Sequence, residues 1–209
     1  MLNQDYNIPI THAALSNNLK EYDRPNDKIS YLMEQGDLIY LAKGKYVSKY
    51  AFNGNIYIRH QSANILYGPS YISRYSALSF YGLLYESTTV VESMTLKRST
   101  TFENELGTFN FYSQPVQTVF ATGIESKLVI TNGSILIASP AKAICDIIWT
   151  TPNLILKTVD DIAYFLEEDI RMEIEILKEA NLEQIEYCAQ FGKKRKEINL
   201  FLSLIKKIK

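Results

Sequence analysis

The chain has 209 residues, of which 46% are hydrophobic and 22% are charged, and its formal net charge is −1. This composition is typical of a globular protein that buries its own core. It lacks the general basic excess of many nucleic-acid-binding proteins, so any such contact must come from a local surface. No apolar run approaches the roughly 20 residues of a membrane span, and the first residues lack the pattern of a signal peptide. We therefore expect a cytoplasmic protein with no membrane partner.

The first fifty residues predict two helices. Thr11 is a suitable N-cap for a short helix over residues 12–21. Pro25 suits the first turn of a second helix, which we expect to end at Gln35, before Gly36. The buried stripe of that helix is predicted from three apolar residues at helical spacing: Ile29, Leu32 and Met33.

A β-hairpin is predicted to follow these helices. Residues 38–41 form one apolar strand, Lys43-Gly44 occupies a turn, and Tyr46 begins the returning strand. Two helices followed by a hairpin with a basic tip are the layout of a winged helix-turn-helix. In that arrangement the second helix enters the major groove of DNA and the hairpin lies along the phosphates.

This layout indicates the residues that would contact DNA. The first turn of a recognition helix reads bases, and amide and guanidinium groups suit adenine and guanine edges. Lysines at the hairpin tip suit phosphates. The candidate DNA-binding residues are therefore Arg24, Asn26, Lys28, Tyr31, Lys43 and Lys45.

The charges of the C-terminal part are unevenly distributed. Residues 160–190 hold two Lys/Arg and ten Asp/Glu, whereas residues 191–209 hold seven Lys/Arg and one Glu. The acidic stretch is typical of a solvated helical face, but it also suits a protein-binding surface or pairing with the basic tail. The tail predicts an amphipathic terminal helix that docks on the core. Its basic cluster is an auxiliary DNA-binding candidate: Lys193, Lys194, Arg195 and Lys196.

The middle of the chain predicts a small sheet. A loop over residues 53–70 leads to a short strand and then a helix that Ser73 caps and Gly82 ends. Antiparallel strands are expected at 88–96 and 107–113, and Asn132-Gly133 predicts a hairpin between strands 127–131 and 134–138. Ser139-Pro140 opens a helix through Trp149. Four further helices are expected: 158–168, 170–180, 182–191 and 194–207.

The predicted fold class is α+β, in two domains. Residues 1–52 form the winged helix-turn-helix, and residues 65–209 form a mixed α/β domain with a small antiparallel sheet and a helical C-terminal third.

The sequence offers little for catalysis. Cys145 and Cys188 lie far apart and predict buried free thiols rather than a zinc site or a disulfide. His12, in the first helix, and His60, in a linker, have no obvious partner for a catalytic triad, and phosphate-binding glycine loops are absent. We expect no enzyme, cofactor or metal. One alternative stays open, because Glu125-x-Lys127 at a strand is typical of metal-dependent nucleases.

Three segments resemble one known family. KISYLMEQGDLIYLAKGKYV, YISRYSALSFYGLL and ASPAKAICDIIW occur in the order and spacing of AbiEi-type antitoxins of type IV toxin–antitoxin, or abortive-infection, systems. The resemblance covers most of residues 10–150. It implies a transcriptional autorepressor that binds repeats in its own promoter through the winged helix and takes part in phage defence. It also implies that the C-terminal domain counters a nucleotidyltransferase-like toxin without forming a stable complex with it.

A protein-interaction module is the main alternative function. The acidic stretch 160–190 and the lack of overall basicity are both compatible with a winged helix that packs against another protein.

Overall fold

The computed structural model describes residues 7–53, 55–84, 89–129 and 133–209 and has an α+β fold, as expected. Its strands are β1 Ile10–Thr11, β2 Leu38–Ala42, β3 Lys45–Ser48, β4 Ser70–Ile72, β5 Val91–Thr95, β6 Thr100–Asn104, β7 Gly107–Ser113, β8 Ile124–Val129 and β9 Gly133–Ala138. Its α-helices are α1 His12–Asn18, α2 Pro25–Glu34, α3 Lys49–Phe52, α4 Ile56–Leu66, α5 Arg74–Phe80, α6 Gln117–Ala121, α7 Pro140–Thr150, α8 Val159–Tyr164, α9 Leu182–Phe191 and α10 Arg195–Ile208. Among the helices described, none is long and apolar enough to cross a membrane.

The first two helices begin where their local sequence predicts. The hydroxyl of Thr11 accepts a hydrogen bond from the Ala14 N–H and so starts α1, which ends three residues earlier than expected. Pro25 occupies the first turn of α2, and Gly36 follows the helix with φ +71°. These helices share a small buried core with the hairpin: Leu15, Leu19, Ile29, Leu32, Leu38 and Tyr46.

A three-stranded antiparallel sheet follows, in the order β1-β3-β2. The β2–β3 hairpin is the one predicted, whereas β1 was not predicted because two residues carry too little pattern. Leu38 faces the small core with the helices, while Ile39, Leu41 and Val47 on the other face join the main core of the protein. The sheet is therefore packed on both sides, which fixes the hairpin against the rest of the chain.

The prediction of a loop over residues 53–70 is wrong for most of that segment, which forms helix α4. The side chain of Asn55 accepts a hydrogen bond from the Tyr57 N–H at 3.0 Å and caps the helix. Ile58 and Ala63 are fully buried in the main core. His60 consequently lies in a buried helix rather than in a linker, and α4 spans the interval between the two predicted domains.

The main sheet has six strands in the order β6-β7-β5-β4-β9-β8. The predicted sheet was small and antiparallel, whereas this sheet has six strands and is mixed: β5 pairs with β7 and β4 pairs with β9 in parallel, and the other three pairs are antiparallel. The parallel pairing of β5 with β7 arises from strand β6, which was not predicted. It forms a hairpin with β7, so the chain reverses twice between β5 and β7.

The second predicted hairpin is present. Strand β8 pairs with β9 in antiparallel register from Ile124 opposite Ala138 to Val129 opposite Gly133. The strand begins three residues before the predicted start, and Asn132 of the predicted turn lies outside the described residues. Strand β8 is an edge strand of the sheet.

Helices cover the C-terminal third, as expected. The Ser139 hydroxyl accepts from the Lys142 N–H and caps α7. The expected helix 158–168 is α8 followed by a π-helical turn, Phe165–Asp169, and the expected helix 170–180 is a 3-10 segment, Ile174–Glu179. Helix α10 buries its apolar stripe, with Phe201 fully enclosed, so the docking of this terminal helix on the core is confirmed.

Candidate nucleic-acid interface

The first turn of α2 projects polar side chains into solvent. Ile29 and Leu32 are each only 2% exposed, which fixes the rotation of the helix about its axis. Arg24 at the N-cap and Asn26 in the first turn are exposed as a result. The amide of Asn26 can offer both a donor and an acceptor to a base edge from this position.

The charge of Arg24 is shared with a neighbouring carboxylate. Its Nη1 lies 3.4 Å from Oδ2 of Asp27, and the two side chains are 84% and 70% exposed. An ion pair this exposed contributes little to stability. The guanidinium can therefore leave Asp27 for a phosphate or a guanine at small cost.

The ammonium of Lys28, also on α2, lies over two tyrosine rings. It lies 5.1 Å from the ring centre of Tyr22 and 4.9 Å from that of Tyr31. The tyrosines are about half exposed, so this cation–π arrangement sits at the surface. It places the Lys28 ammonium next to the Tyr31 ring, so these two candidate DNA-binding residues lie together at the surface.

The turn between β2 and β3 presents one of its two predicted lysines to solvent. Lys43 is exposed, whereas Lys45 is half-buried and its ammonium donates to the Leu66 carbonyl at the end of α4, at 2.6 Å. The Gly44 carbonyl also accepts from the His12 N–H at 2.8 Å. These bonds anchor the turn, so Lys45 supports the hairpin structurally and Lys43 carries its exposed charge.

A further cation lies close to this turn. Burial is the main cause that lowers the pKa of Lys45, and the nearby positive charge of Lys97 lowers it further. Lys97 is exposed and lies 4.8 Å from the ring centre of Tyr67. Sequence reasoning missed it, because Lys97 is far from the hairpin along the chain and follows a different strand.

The basic segment before α10 is only partly available. The Lys194 ammonium donates to the Thr151 carbonyl, and burial lowers its pKa. Lys193 lies over the Trp149 ring at 5.8 Å. Arg195 and Lys196 are exposed. Two of the four auxiliary candidates therefore also hold the start of α10 against the end of α7.

A buried polar cluster surrounds Asp146 of α7. The carboxylate accepts hydrogen bonds from the Tyr71 hydroxyl at 2.9 Å, the Ser73 hydroxyl at 2.8 Å and the Lys142 ammonium. Lys142 is 0% exposed and Asp146 is 1% exposed, so this pair, one helical turn apart on α7, is fully enclosed. A cluster so enclosed joins β4 to α7 structurally and has no access for a substrate.

Tyr71 gives this cluster a testable pH dependence. Burial and the adjacent Asp146 raise the pKa of Tyr71 well above its usual value. Its phenol therefore keeps its proton in the folded protein, while the unfolded chain loses that proton above about pH 10. Since the unfolded state then binds fewer protons, stability falls as pH rises above that value, by up to about 1.4 kcal/mol per pH unit for this group.

Urea unfolding of the protein between pH 8 and pH 11 checks this dependence. We expect the alkaline decline to be less steep in Tyr71→Phe than in the parent protein. Equal slopes for both proteins would contradict the role of Tyr71.

A second buried ion pair lies beside the cluster. Nε of Arg74 lies 3.2 Å from Oε1 of Glu92, which also accepts from the Tyr112 hydroxyl at 3.0 Å. The Arg74 guanidinium stacks over the Tyr112 ring at 4.0 Å and donates to the Thr150 hydroxyl. Arg74 has φ +55° at the start of α5. Its bonds to Glu92 and Thr150 hold together β5, α5 and α7.

The Glu125-x-Lys127 pattern forms a surface ion pair. Lys127 Nζ lies 2.6 Å from Glu125 Oε2, and the Tyr81 hydroxyl donates to the same carboxylate at 3.1 Å. In the described ranges, no three His, Cys, Asp or Glu side chains are grouped so that they could hold a metal. Glu92, an acidic residue on the preceding strand β5, instead pairs with Arg74. The nuclease alternative gains no support from this arrangement.

The two cysteines are free and buried, as predicted.

Comparison of the chain with protein-family models and with curated protein sequences finds no match.

Proposed function

We propose that this chain is a DNA-binding antitoxin that represses its own operon. The observation that carries the DNA-binding part is the exposed first turn of α2, with Arg24 and Asn26, directly before a hairpin whose anchored turn exposes Lys43. Base-reading groups on a helix and a phosphate-binding cation on the following hairpin are the two contacts that a winged helix makes.

The topology supports this interpretation. Strand β1, helices α1 and α2, and hairpin β2–β3 follow in that order, and the sheet order is β1-β3-β2. Strand β1 precedes the two helices and pairs with β3 of the hairpin, so the helices are connected to this sheet at both ends. The hairpin therefore has a fixed position relative to α2, which recognition of a helical DNA surface requires.

The antitoxin part of the proposal rests on the family resemblance of KISYLMEQGDLIYLAKGKYV, YISRYSALSFYGLL and ASPAKAICDIIW. It assigns the six-stranded domain to the neutralisation of a nucleotidyltransferase-like toxin, without a stable complex. Co-expression with such a toxin from the neighbouring gene tests it: growth is restored by the full chain, and unrelieved growth arrest would overturn this part.

DNA binding is tested by a gel-shift titration on the duplex upstream of the chain's own gene. If the cations at positions 24, 28 and 43 each neutralise one phosphate, log K falls with log salt with a slope of about −3. Charge reversal at the exposed Lys43 is expected to weaken the shift at least about tenfold. No shift at moderate salt, or an unchanged shift in Lys43→Glu, would overturn the proposal.

Three tyrosines favour protein interaction as the second candidate function. Tyr22, Tyr31 and Tyr40 are between 49% and 51% exposed in the N-terminal unit. Tyrosine is enriched in protein interfaces, where a large ring and a hydroxyl serve together. A stoichiometric protein partner that is retained at high salt without nucleic acid would favour this function over DNA binding.

A further inference from the structure

The outer edge of β8 presents a large apolar side chain to solvent alongside its charged residues. Leu128 on this strand is 90% exposed, and Leu136 on the adjacent β9 is 45% exposed. Native proteins usually protect a sheet edge with charged residues or a covering element. At the opposite edge, β6 carries exposed Thr101 and Glu103 instead. No described strand pairs with the outer side of β8.

The ladder between β8 and β9 shows which backbone groups of β8 are unpaired at this edge. The Ser139 N–H donates to the Gly123 carbonyl at 2.8 Å, which makes these residues a hydrogen-bonded pair just outside the strands. Hydrogen-bonded pairs alternate along an antiparallel ladder. Ile124, Ser126 and Leu128 therefore direct their N–H and C=O groups outward, away from β9.

The side chains of β8 are self-complementary about Ser126. An antiparallel pairing that sets Ser126 opposite itself places Glu125 opposite Lys127 of the second copy, and Ile124 opposite Leu128 of the second copy. Opposite charges and apolar side chains then meet across the strands, which stabilises such pairs. The outward backbone groups of all three residues become paired at the same time.

Charge also selects this register over its neighbours. The two neighbouring registers that still pair the outward backbone groups place Glu125 opposite Glu125, or Lys127 opposite Lys127. Like charges directly opposite each other destabilise a strand pair. Only the register centred on Ser126 combines the apolar contact with attraction between the charges.

We propose that two copies of this chain associate through their β8 strands, antiparallel and centred on Ser126, into one continuous twelve-stranded sheet. The contact is isologous, since the same surface serves both copies and the two-fold axis passes by Ser126. It buries Leu128 against Ile124 of the second copy. A contact of one strand per copy is small, so the association is weak and depends on concentration.

Sedimentation of the full chain tests this association from about 5 to about 500 µM, the range in which a small interface associates. The mass rises from 23.9 kDa toward twice that value. Ser126→Pro removes an outward N–H without touching the β8–β9 ladder, and weakens association at least about tenfold. A single species of 23.9 kDa at every concentration would overturn the proposal.

Glu103→Pro is the matched control on the opposite edge. Asn104 and Gly107 close a two-residue turn as a hydrogen-bonded pair, so the N–H of Glu103 also faces outward. This variant associates like the parent protein. If both proline variants weaken association equally, or if neither weakens it, β8 does not form the interface.

A charge exchange tests the register without proline. Lys127→Glu sets two carboxylates opposite each other and weakens association about threefold or more. The double variant Glu125→Lys/Lys127→Glu restores the opposite charges and the association. A double variant no stronger than Lys127→Glu would contradict the register centred on Ser126. None of these outcomes depends on DNA binding, so they are separate from the test of the proposed function.

Discussion

Asp146→Asn is expected to destabilise the protein by about 3–5 kcal/mol, because it leaves the buried ammonium of Lys142 without a counter-charge. Lys142 is 0% exposed, so water cannot replace the lost carboxylate. Asparagine keeps the volume of the side chain and an oxygen that accepts from Tyr71 and Ser73, so the loss reports on charge. For a chain of this size the midpoint of thermal unfolding falls by about 6–20 °C. Urea unfolding at pH 7 measures the free energy directly.

The double variant Lys142→Met/Asp146→Asn separates the ion pair from the packing of α7. We expect its loss of unfolding free energy to be at least about 2 kcal/mol smaller than the sum of the losses in Lys142→Met and Asp146→Asn. The reason is that no uncompensated charge remains in the double variant. The exposed pair Lys206 and Glu186, 2.9 Å apart and each 51% exposed, is the matched control. Its removal costs less than about 1 kcal/mol. Additive losses at Lys142 and Asp146 would contradict the coupling of the pair.

Asn26→Ala and Lys43→Glu are expected to weaken DNA binding in different ways. Loss of the Asn26 amide reduces discrimination between the upstream duplex and unrelated DNA by about 1–3 kcal/mol, or roughly 5–150-fold. Charge reversal at Lys43 weakens binding to all sequences alike and reduces the salt slope by about one. Fluorescence anisotropy titrations of both duplexes at several salt concentrations separate the two effects.

Lys157→Glu is the matched control for Lys43→Glu. It changes the net charge equally, but on an exposed residue in the segment between α7 and α8. We expect it to leave the affinity within about twofold of the parent, since Lys157 lies outside the helix and hairpin that carry the proposed DNA contacts. If Lys157→Glu weakens binding as much as Lys43→Glu does, the effect of Lys43 belongs to net charge and not to the hairpin.

Elements whose start is encoded locally could be predicted from sequence. Thr11, Pro25 and Ser139 each mark the beginning of a helix, because a capping hydroxyl or a proline in the first turn acts within four residues. The apolar stripe of α2 likewise determines which of its residues face solvent, so the exposure of Arg24 and Asn26 follows from the sequence alone.

Features that depend on distant parts of the chain could not be predicted. Helix α4 carries His60, Gln61 and Ser62 on buried positions, so its polar composition suggested a loop. The parallel pairing of β5 with β7 depends on strand β6, whose sequence TTFEN contains one apolar residue and so gives little signal of a strand. At the candidate interface, the bond from Lys45 to the Leu66 carbonyl joins residues that have no local relationship. The sequence therefore shows which cations are present, whereas tertiary contacts decide which of them are available.

We propose that α2 and its hairpin recognise a particular DNA sequence. The most direct test of this proposal is an equilibrium competition, at about 150 mM salt, between the duplex upstream of the gene and a scrambled duplex of the same composition. We expect the upstream duplex to bind at least about 1,000-fold more tightly. Equal affinity for the two duplexes would contradict it.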